Sequence, residues 1–164
     1  MKEELLYFIW QYRCFSYTPL TLLNNSEIQI LKVGQINSNS GPDFLNSKIN
    51  LNGLIWLGST EIHLKSSDWN KHKHHLDKSY NGVVLHVVWE NDIAIFNQLG
   101  EEIPSLALAD YIEPGIIDKI EALMSSQKWI LCQKLFTSVD PFILVQFLER
   151  IFIERLELKS EKVA

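Results

Sequence analysis

The residues with chemistry to offer crowd into one stretch, Gly41–His86. Asp43, Glu61, His63 and Lys65 lie there, and all five histidines fall between His63 and His86. If Leu54–Lys65 is a β-strand, alternation puts Leu57, Ser59, Glu61, His63 and Lys65 on one face. Trp56, Gly58, Thr60, Ile62 and Leu64 take the other. A carboxylate, an imidazole and an ammonium then project side by side, about 7 Å between alternate positions. A hairpin turned at Asn52-Gly53 places residue 43 opposite roughly residue 62, so Asp43 reaches the same end of the strand pair. Two carboxylates meeting at a strand end suit Mg²⁺ or Mn²⁺, which binds through one or two carboxylates and keeps several waters. Such an ion polarises a phosphodiester and activates a water, with His63 and Lys65 assisting. A half-exposed sheet face on which Glu61 pairs with Lys65 has the same spacing and does no chemistry.

The histidines are a second signal. On a helix His72 and His75 share a face, with Asp68 one turn before His72. Imidazoles beside a carboxylate suit Zn²⁺, Mn²⁺ or Ni²⁺. The segment Lys71-His72-Lys73-His74-His75 is also what a solvated polar turn looks like. His86 differs, because it interrupts the apolar run Val83–Val88 and must be hydrogen-bonded there or serve a site. Trp69, next to Asp68, could stack a base; like Trp10, Trp56, Trp89 and Trp129 it could equally be packing. The candidate set is therefore Asp43 and Glu61 on a metal and His63 and Lys65 in catalysis. His72, His74, His86, Asp68 and Trp69 would contact substrate or stand behind the ligands. No GxGxxG, phosphate-loop or GxSxG motif is present.

Positioning these groups needs a sheet and little else. Residues 3–15 have helical spacing, 27–33 alternate as a strand, and 34–41 are rich in Asn, Ser and Gly as a loop is. Phe44–Leu51 and Leu54–Lys65 form the hairpin. Ser67 or Asp68 caps a short helical segment to about residue 79, and Val83–Glu90 suits a buried strand. Asp92–Phe96 and Ile103–Leu108 look like a further hairpin turned at Asn97–Gly100. Pro114 opens a helix to about Ser125, and Asp140-Pro141 opens another to about 162 that is apolar nearly all round. A helix apolar on every face is buried on every face. That implies a fragment of a longer chain, or pairing through this helix with a second copy or a missing C-terminal portion. The expected class is α+β or α/β: a central mixed sheet in helix-strand-strand-strand-helix-strand order over 1–110, then a helical extension over 111–164.

Bulk properties narrow the function. Of 164 residues 46% are hydrophobic and 21% charged, as in a soluble globular protein. The net charge of −5 argues against coating nucleic acid by bulk electrostatics, but leaves room for a groove of Lys65, Lys71, Lys73 and Lys78. Cys14 and Cys132 stand alone, so a reduced intracellular pair is expected rather than a zinc knuckle. The N-terminus lacks the basic residues of a signal peptide, and no apolar run spans a membrane. A cytoplasmic location follows as the expectation.

The runs Gly41-Pro42-Asp43-Phe44, Gly58–Trp69, then His72, His74, Asp77 and Tyr80, and Val84–Val88 resemble the uncharacterised bacterial domain of unknown function 2851 family. Trp10 and Glu154-Arg155-Leu156 fit the same pattern, so the resemblance covers most of the chain. It brings no activity with it. Pro42-Asp43 followed by Glu61-x-His63 on consecutive strands is similar, more distantly, to the PD-(D/E)xK nuclease superfamily with its restriction-endonuclease-like sheet. That resemblance implies an Asp and a Glu holding the metal and a Lys two residues after the Glu. Here His63 occupies the Lys position and Lys65 lies two residues on, while Glu3 or Glu4 would be the acid from the first helix. A metal-dependent phosphodiesterase acting on nucleic acid is the leading expectation. A Zn²⁺ or Mn²⁺ hydrolase of a small substrate and a non-enzymatic interaction module are its rivals.

Overall fold

The computed structural model describes residues 2–16, 19–22, 26–125 and 138–161. Trp129 and Cys132, and the turn residues Asn24 and Asn25, lie outside them. Two compact units are present, residues 1–121 and 122–164.

The first unit is built on a mixed sheet. In chain order its elements are α1 (Glu3–Gln11), β1 (Leu20–Thr21), β2 (Glu27–Lys32), β3 (Gln35–Ile36), β4 (Phe44–Leu51), β5 (Leu54–Lys65), α2 (Asp68–Lys71), β6 (Val83–Glu90), β7 (Ser105–Ala107) and α3 (Ile116–Met124), whose last turn enters the second unit. The strands run in the order β1-β2-β4-β5-β6-β7, with β3 beside β4. Pairing is antiparallel from β1 to β5 and parallel from β5 to β7.

The central hairpin forms where its turn chemistry demands. Asn52 and Gly53 both have positive φ, 51° and 85°, the combination a two-residue type I′ turn needs. Gly34 is held at φ 96°, and a Cβ there would stand 2.5 Å from Ser47 Oγ and 2.8 Å from Leu45 O. That close approach stitches the loop before β3 onto β4. The amphipathic α1 lays Leu5, Leu6, Ile9 and Trp10 on the sheet, where they join Phe44, Ile49, Ile62, Leu85 and Val87. By alternation Glu61, His63 and His86 then face the other side. On that side Trp69, Val83, Ile95 and Ile103 make a smaller cluster with Tyr80.

Several elements differ from expectation, each for a local reason. The first helix stops at Gln11 because Arg13 turns left-handed, at φ 52°. The expected segment to residue 79 breaks into α2 and two single 3₁₀ turns, because Lys73 is left-handed at φ 65° and Asp77 is extended. Neither Ser67 nor Asp68 caps it through a side chain. Residues 95 and 103 do meet as a hairpin, through Ile103 N–H to Ile95 O at 3.0 Å. The chain then leaves that hairpin, and β7 pairs parallel with β6.

In the second unit, α4 (Pro141–Glu161) opens as expected, with Asp140 Oδ1 accepting the Phe142 N–H at 2.8 Å. Phe142, Ile143, Phe147, Leu148, Phe152 and Ile153 are all exposed, since no other described element of that unit packs on them.

Candidate metal centre

β5 supplies the first two members of the site. Glu61 and His63 are 4% and 2% exposed, among the most buried polar residues of the chain. The segment after β5 supplies the next two. His72 closes α2, Lys73 turns left-handed, and His74 opens the following 3₁₀ turn. In a continuous helix His72 and His74 would point to different sides. The left-handed residue between them lets both imidazoles return toward β5.

The donor atoms converge. His63 Nε2 lies 3.0 Å from His72 Nδ1 and 3.8 Å from Glu61 Oε1. His74 Nε2 lies 3.3 Å from the same Glu61 oxygen, yet makes no hydrogen bond there. One ring nitrogen from each of His63, His72 and His74 lies within 4.8 Å of the others. Ligands at about 2.0–2.1 Å from a tetrahedral ion stand roughly 3.3 Å from one another. The three imidazole nitrogens thus lie close enough together to share a single ion, and the Glu61 oxygen stands beside two of them. A 3.3 Å approach without hydrogen-bond alignment is what two donors aimed at a third point produce.

Behind Glu61 is a carboxylate end. Asp43 N–H donates to Glu61 Oε2 at 3.0 Å, and Ile62 N–H donates to Asp43 Oδ2 at 2.9 Å. The Tyr7 hydroxyl also hydrogen-bonds Asp43, and the two carboxyl groups hydrogen-bond each other. Burial, and then the Asp43 charge, pushes the Glu61 carboxyl up to about 9. Burial raises Asp43 as well, against the Tyr7 and Ile62 hydrogen bonds that lower it. The pair therefore holds on to a proton that two separate carboxyl groups would have lost. Glu3 contributes a further acid: burial and Asp43 raise its carboxyl. Glu4, by contrast, is exposed.

The imidazoles are held neutral. Burial, then the charges of His74 and His72, lowers His63 to about 3. Burial and His72 lower His74 to about 4. Burial holds His86 well below its ordinary value. Neutral imidazole is the form that binds a cation.

Not every expected residue joins. Lys65 sits at the open end of β5, half exposed, and its Nζ pairs with Glu90 Oε2 at 2.8 Å. Asp68 pairs with Lys71 at 3.2 Å and accepts the Lys65 N–H at 3.2 Å. Trp69 is fully buried, its Nε1–H donated to Phe96 O at 3.0 Å, so no base can stack on it. Instead it forms a wall against the rings of His74 and His86. His75 does not share a face with His72, because the helix breaks at Lys73.

Two members had no expected role. Tyr7 lies one helical turn after Glu3 on α1, and that spacing is the only signal that could have found it. Tyr80 covers His74 with ring centroids 3.9 Å apart. Outside His72 and His74 opens a cavity of about 530 Å³, lined further by Lys73, Asp77, Lys78, Tyr80 and Gln98. A larger hollow beside β1 and β2, about 820 Å³, has no histidine in its lining. Among the described residues no helix is long and apolar enough to cross a membrane.

No curated protein and no solved structure matches the chain. Over residues 3–164 it matches the family described as "Protein of unknown function (DUF2851)", and it belongs to that family.

Proposed function

We propose that this chain carries a metal-dependent hydrolase centre of the phosphodiesterase type, with a divalent ion held by His63, His72, His74 and Glu61. The observation that carries the proposal is the convergence of one ring nitrogen each from His63, His72 and His74, two of which, those of His63 and His74, also close on one oxygen of the buried Glu61. An imidazole-rich set favours Zn²⁺, Mn²⁺ or Ni²⁺ over Mg²⁺, which prefers oxygen donors and bound water. The ion would supply a water of lowered pKa and a Lewis acid for the phosphoryl oxygen. Asp43 holds Glu61 through its own N–H and, once the pair's proton has left, stays as a half-buried acceptor next to it. Nucleic acid as substrate is supported by the hairpin β4-β5 followed by α2 and β6, although the short strands β1 and β3 add to the order expected of a nuclease-like sheet. Asp43 immediately precedes β4 and Glu61 precedes His63 by two residues, as in the nuclease-like arrangement the sequence resembles.

A hydrolase of a small molecule is the alternative, and one observation favours it. The cavity outside His72 and His74, about 530 Å³, is in the range of small-ligand sites. One set of assays tests both. Metal content is measured on untreated protein. Chelated protein is then reloaded with Zn²⁺, Mn²⁺, Ni²⁺ or Mg²⁺ and assayed on single- and double-stranded nucleic acid and on a small aryl phosphodiester. Glu61→Ala and His74→Ala are run beside the wild type. Stoichiometric metal, and cleavage lost in both variants, is expected. Cleavage of the aryl ester alone would transfer the proposal to the small substrate. Absence of metal binding in the wild type, or activity equal in all three proteins, would overturn it.

A further inference from the structure

His86 is a polar residue in an apolar place. It lies in β6 between Leu85 and Val87, is 0% exposed, and packs its ring against Trp69. Its Nε2 is 2.8 Å from His63 Nδ1. Its Nδ1 is buried and has no hydrogen-bond partner among the described residues. Leaving a buried polar group unpaired costs on the order of 1–3 kcal/mol, and a leucine here would avoid that cost. What Nε2 does should therefore explain why an imidazole is here.

The geometry of His63 supplies the explanation. Its Nε2 is the atom turned toward His72 Nδ1 and Glu61 Oε1. To bind a cation that nitrogen must carry a lone pair, so the ring's one proton must be on Nδ1. A proton on Nδ1 needs an acceptor, and His86 Nε2 is within reach. His86 can accept only if its own proton is on Nδ1, the atom with no partner. The opposite pair of tautomers would give His86 Nδ1 a free lone pair, but would place the His63 proton on Nε2, in the middle of the donor cluster. The unpaired Nδ1–H of His86 and the open Nε2 of His63 are thus two ends of one arrangement. Ser105 is paired with His86 across β6 and β7. Its hydroxyl is also buried without a partner among the described residues, so it does not compete for His86 Nε2.

We propose that His86 is a positioning residue: by accepting the His63 Nδ1–H it fixes the tautomer that presents His63 Nε2 to a divalent ion. This rests on the metal-centre proposal above. Groups that orient a ligating imidazole through its second nitrogen typically change metal affinity by about 10–100-fold when removed.

The test uses the whole chain. The tautomer of His63 is read from imidazole ¹⁵N shifts in the metal-free protein. Zn²⁺ affinity is measured against a competing chelator. His86→Gln keeps an acceptor near the position of Nε2; His86→Leu removes it and suits the apolar surroundings, so it should fold. The wild type and His86→Gln are expected to show His63 protonated on Nδ1. In His86→Leu the proton should move to Nε2 and Zn²⁺ affinity should fall about 10–100-fold. A wild-type His63 protonated on Nε2 would overturn the proposal, as would His86→Leu with unchanged tautomer and affinity. Failure of the wild type to bind Zn²⁺ at all would sink the metal centre. The ¹⁵N shifts would still decide whether His86 sets the tautomer.

Discussion

Asp43 and Glu61 are locked by reciprocal backbone bonds. Asp43 N–H donates to Glu61 Oε2 at 3.0 Å, while the N–H that follows Glu61, that of Ile62, donates to Asp43 Oδ2 at 2.9 Å. Neither carboxyl group can swing away without freeing a main-chain donor. The lock sets which Glu61 oxygen is free: Oε1 faces the histidines. It also keeps two acids together in a buried place, and that has consequences for pH.

The first consequence lies on the alkaline side. Burial and Asp43 raise Glu61 from an ordinary 4.5 to about 9. Between those values the folded, metal-free protein holds a proton that the unfolded chain has lost. Stability from this group must therefore fall as pH rises from about 4.5 to 9, by at most roughly 1.4 kcal/mol per unit. Glu61→Gln should remove that slope and be the more stable protein at pH 8. Urea unfolding of chelated protein at several pH values measures it. Parallel slopes for the two proteins would show that the acid pair is not what titrates.

The acid side is governed by the imidazoles. His63, His74 and His86 are held below 6.5 by burial, to about 3 and about 4 for the first two. The unfolded chain takes up protons below pH 6.5 and the folded chain does not. Their stability is therefore present above 6.5 and is lost as pH falls toward 3, each group by at most about 1.4 kcal/mol per unit. Three imidazoles act together on this limb, whereas the raised carboxyl groups of Glu61, Asp43 and Glu3 act on the other. Unfolding curves should place the optimum of the metal-free protein near neutrality. A broad plateau down to pH 4 would contradict it.

Much of this was legible in the sequence, and the reasons are local. Asn52-Gly53 marks one turn type, so the bounds of β4 and β5 follow from it; the turn's register puts Asp43 opposite residue 62, and a shift between Phe44 and Ser47, where Asn46 has φ 57°, moves it to Glu61. The apolar run Val83–Val88 announces β6. What could not be read depends on partners or on rare backbone. Alternation puts Lys65 beside His63, but says nothing of Glu90, the β6 neighbour that pairs with it. Nothing about a lysine advertises left-handed φ, so the break that turns His72 and His74 inward is invisible. The parallel docking of β7 requires the chain to leave a hairpin whose turn residues look ordinary. The apolar side chains of α4 were legible in the sequence, but what packs on them was not.

Gly58 tests the seam between β5 and β6. A Cβ there would lie 2.4 Å from Gly82 O and 2.5 Å from Val84 Cγ1. Ser59 N–H donates to that same Gly82 oxygen at 2.9 Å. Gly58→Ala should push the start of β6 away from β5 and cost about 1–3 kcal/mol, as overpacking does. Gly53→Ala meets no atom within 4 Å, so it should lose only the roughly 1–2 kcal/mol of left-handed backbone. Chemical denaturation of the two variants compares them. A Gly58→Ala protein as stable as the wild type would mean that the strands sit further apart than 2.4 Å implies.

Lys73 tests whether the backbone builds the site. It is held at φ 65° between two imidazoles that reach the same glutamate cluster. Left-handed backbone costs a residue with a side chain roughly 1–2 kcal/mol, and glycine adopts it freely. Glycine also enlarges the freedom of the unfolded chain, which offsets roughly 0.5–1 kcal/mol of the relief. Lys73→Gly should thus shift stability by less than about 1 kcal/mol and leave Zn²⁺ binding intact. Lys73→Val cannot take that conformation cheaply, because branching at Cβ adds to the clash. It should pull His72 or His74 out of the cluster, weakening Zn²⁺ binding at least tenfold while β4, β5 and β6 stay folded. Chelator competition with circular dichroism separates the two effects. Equal Zn²⁺ affinity in the glycine and valine variants would show that the convergence of His72 and His74 does not depend on Lys73.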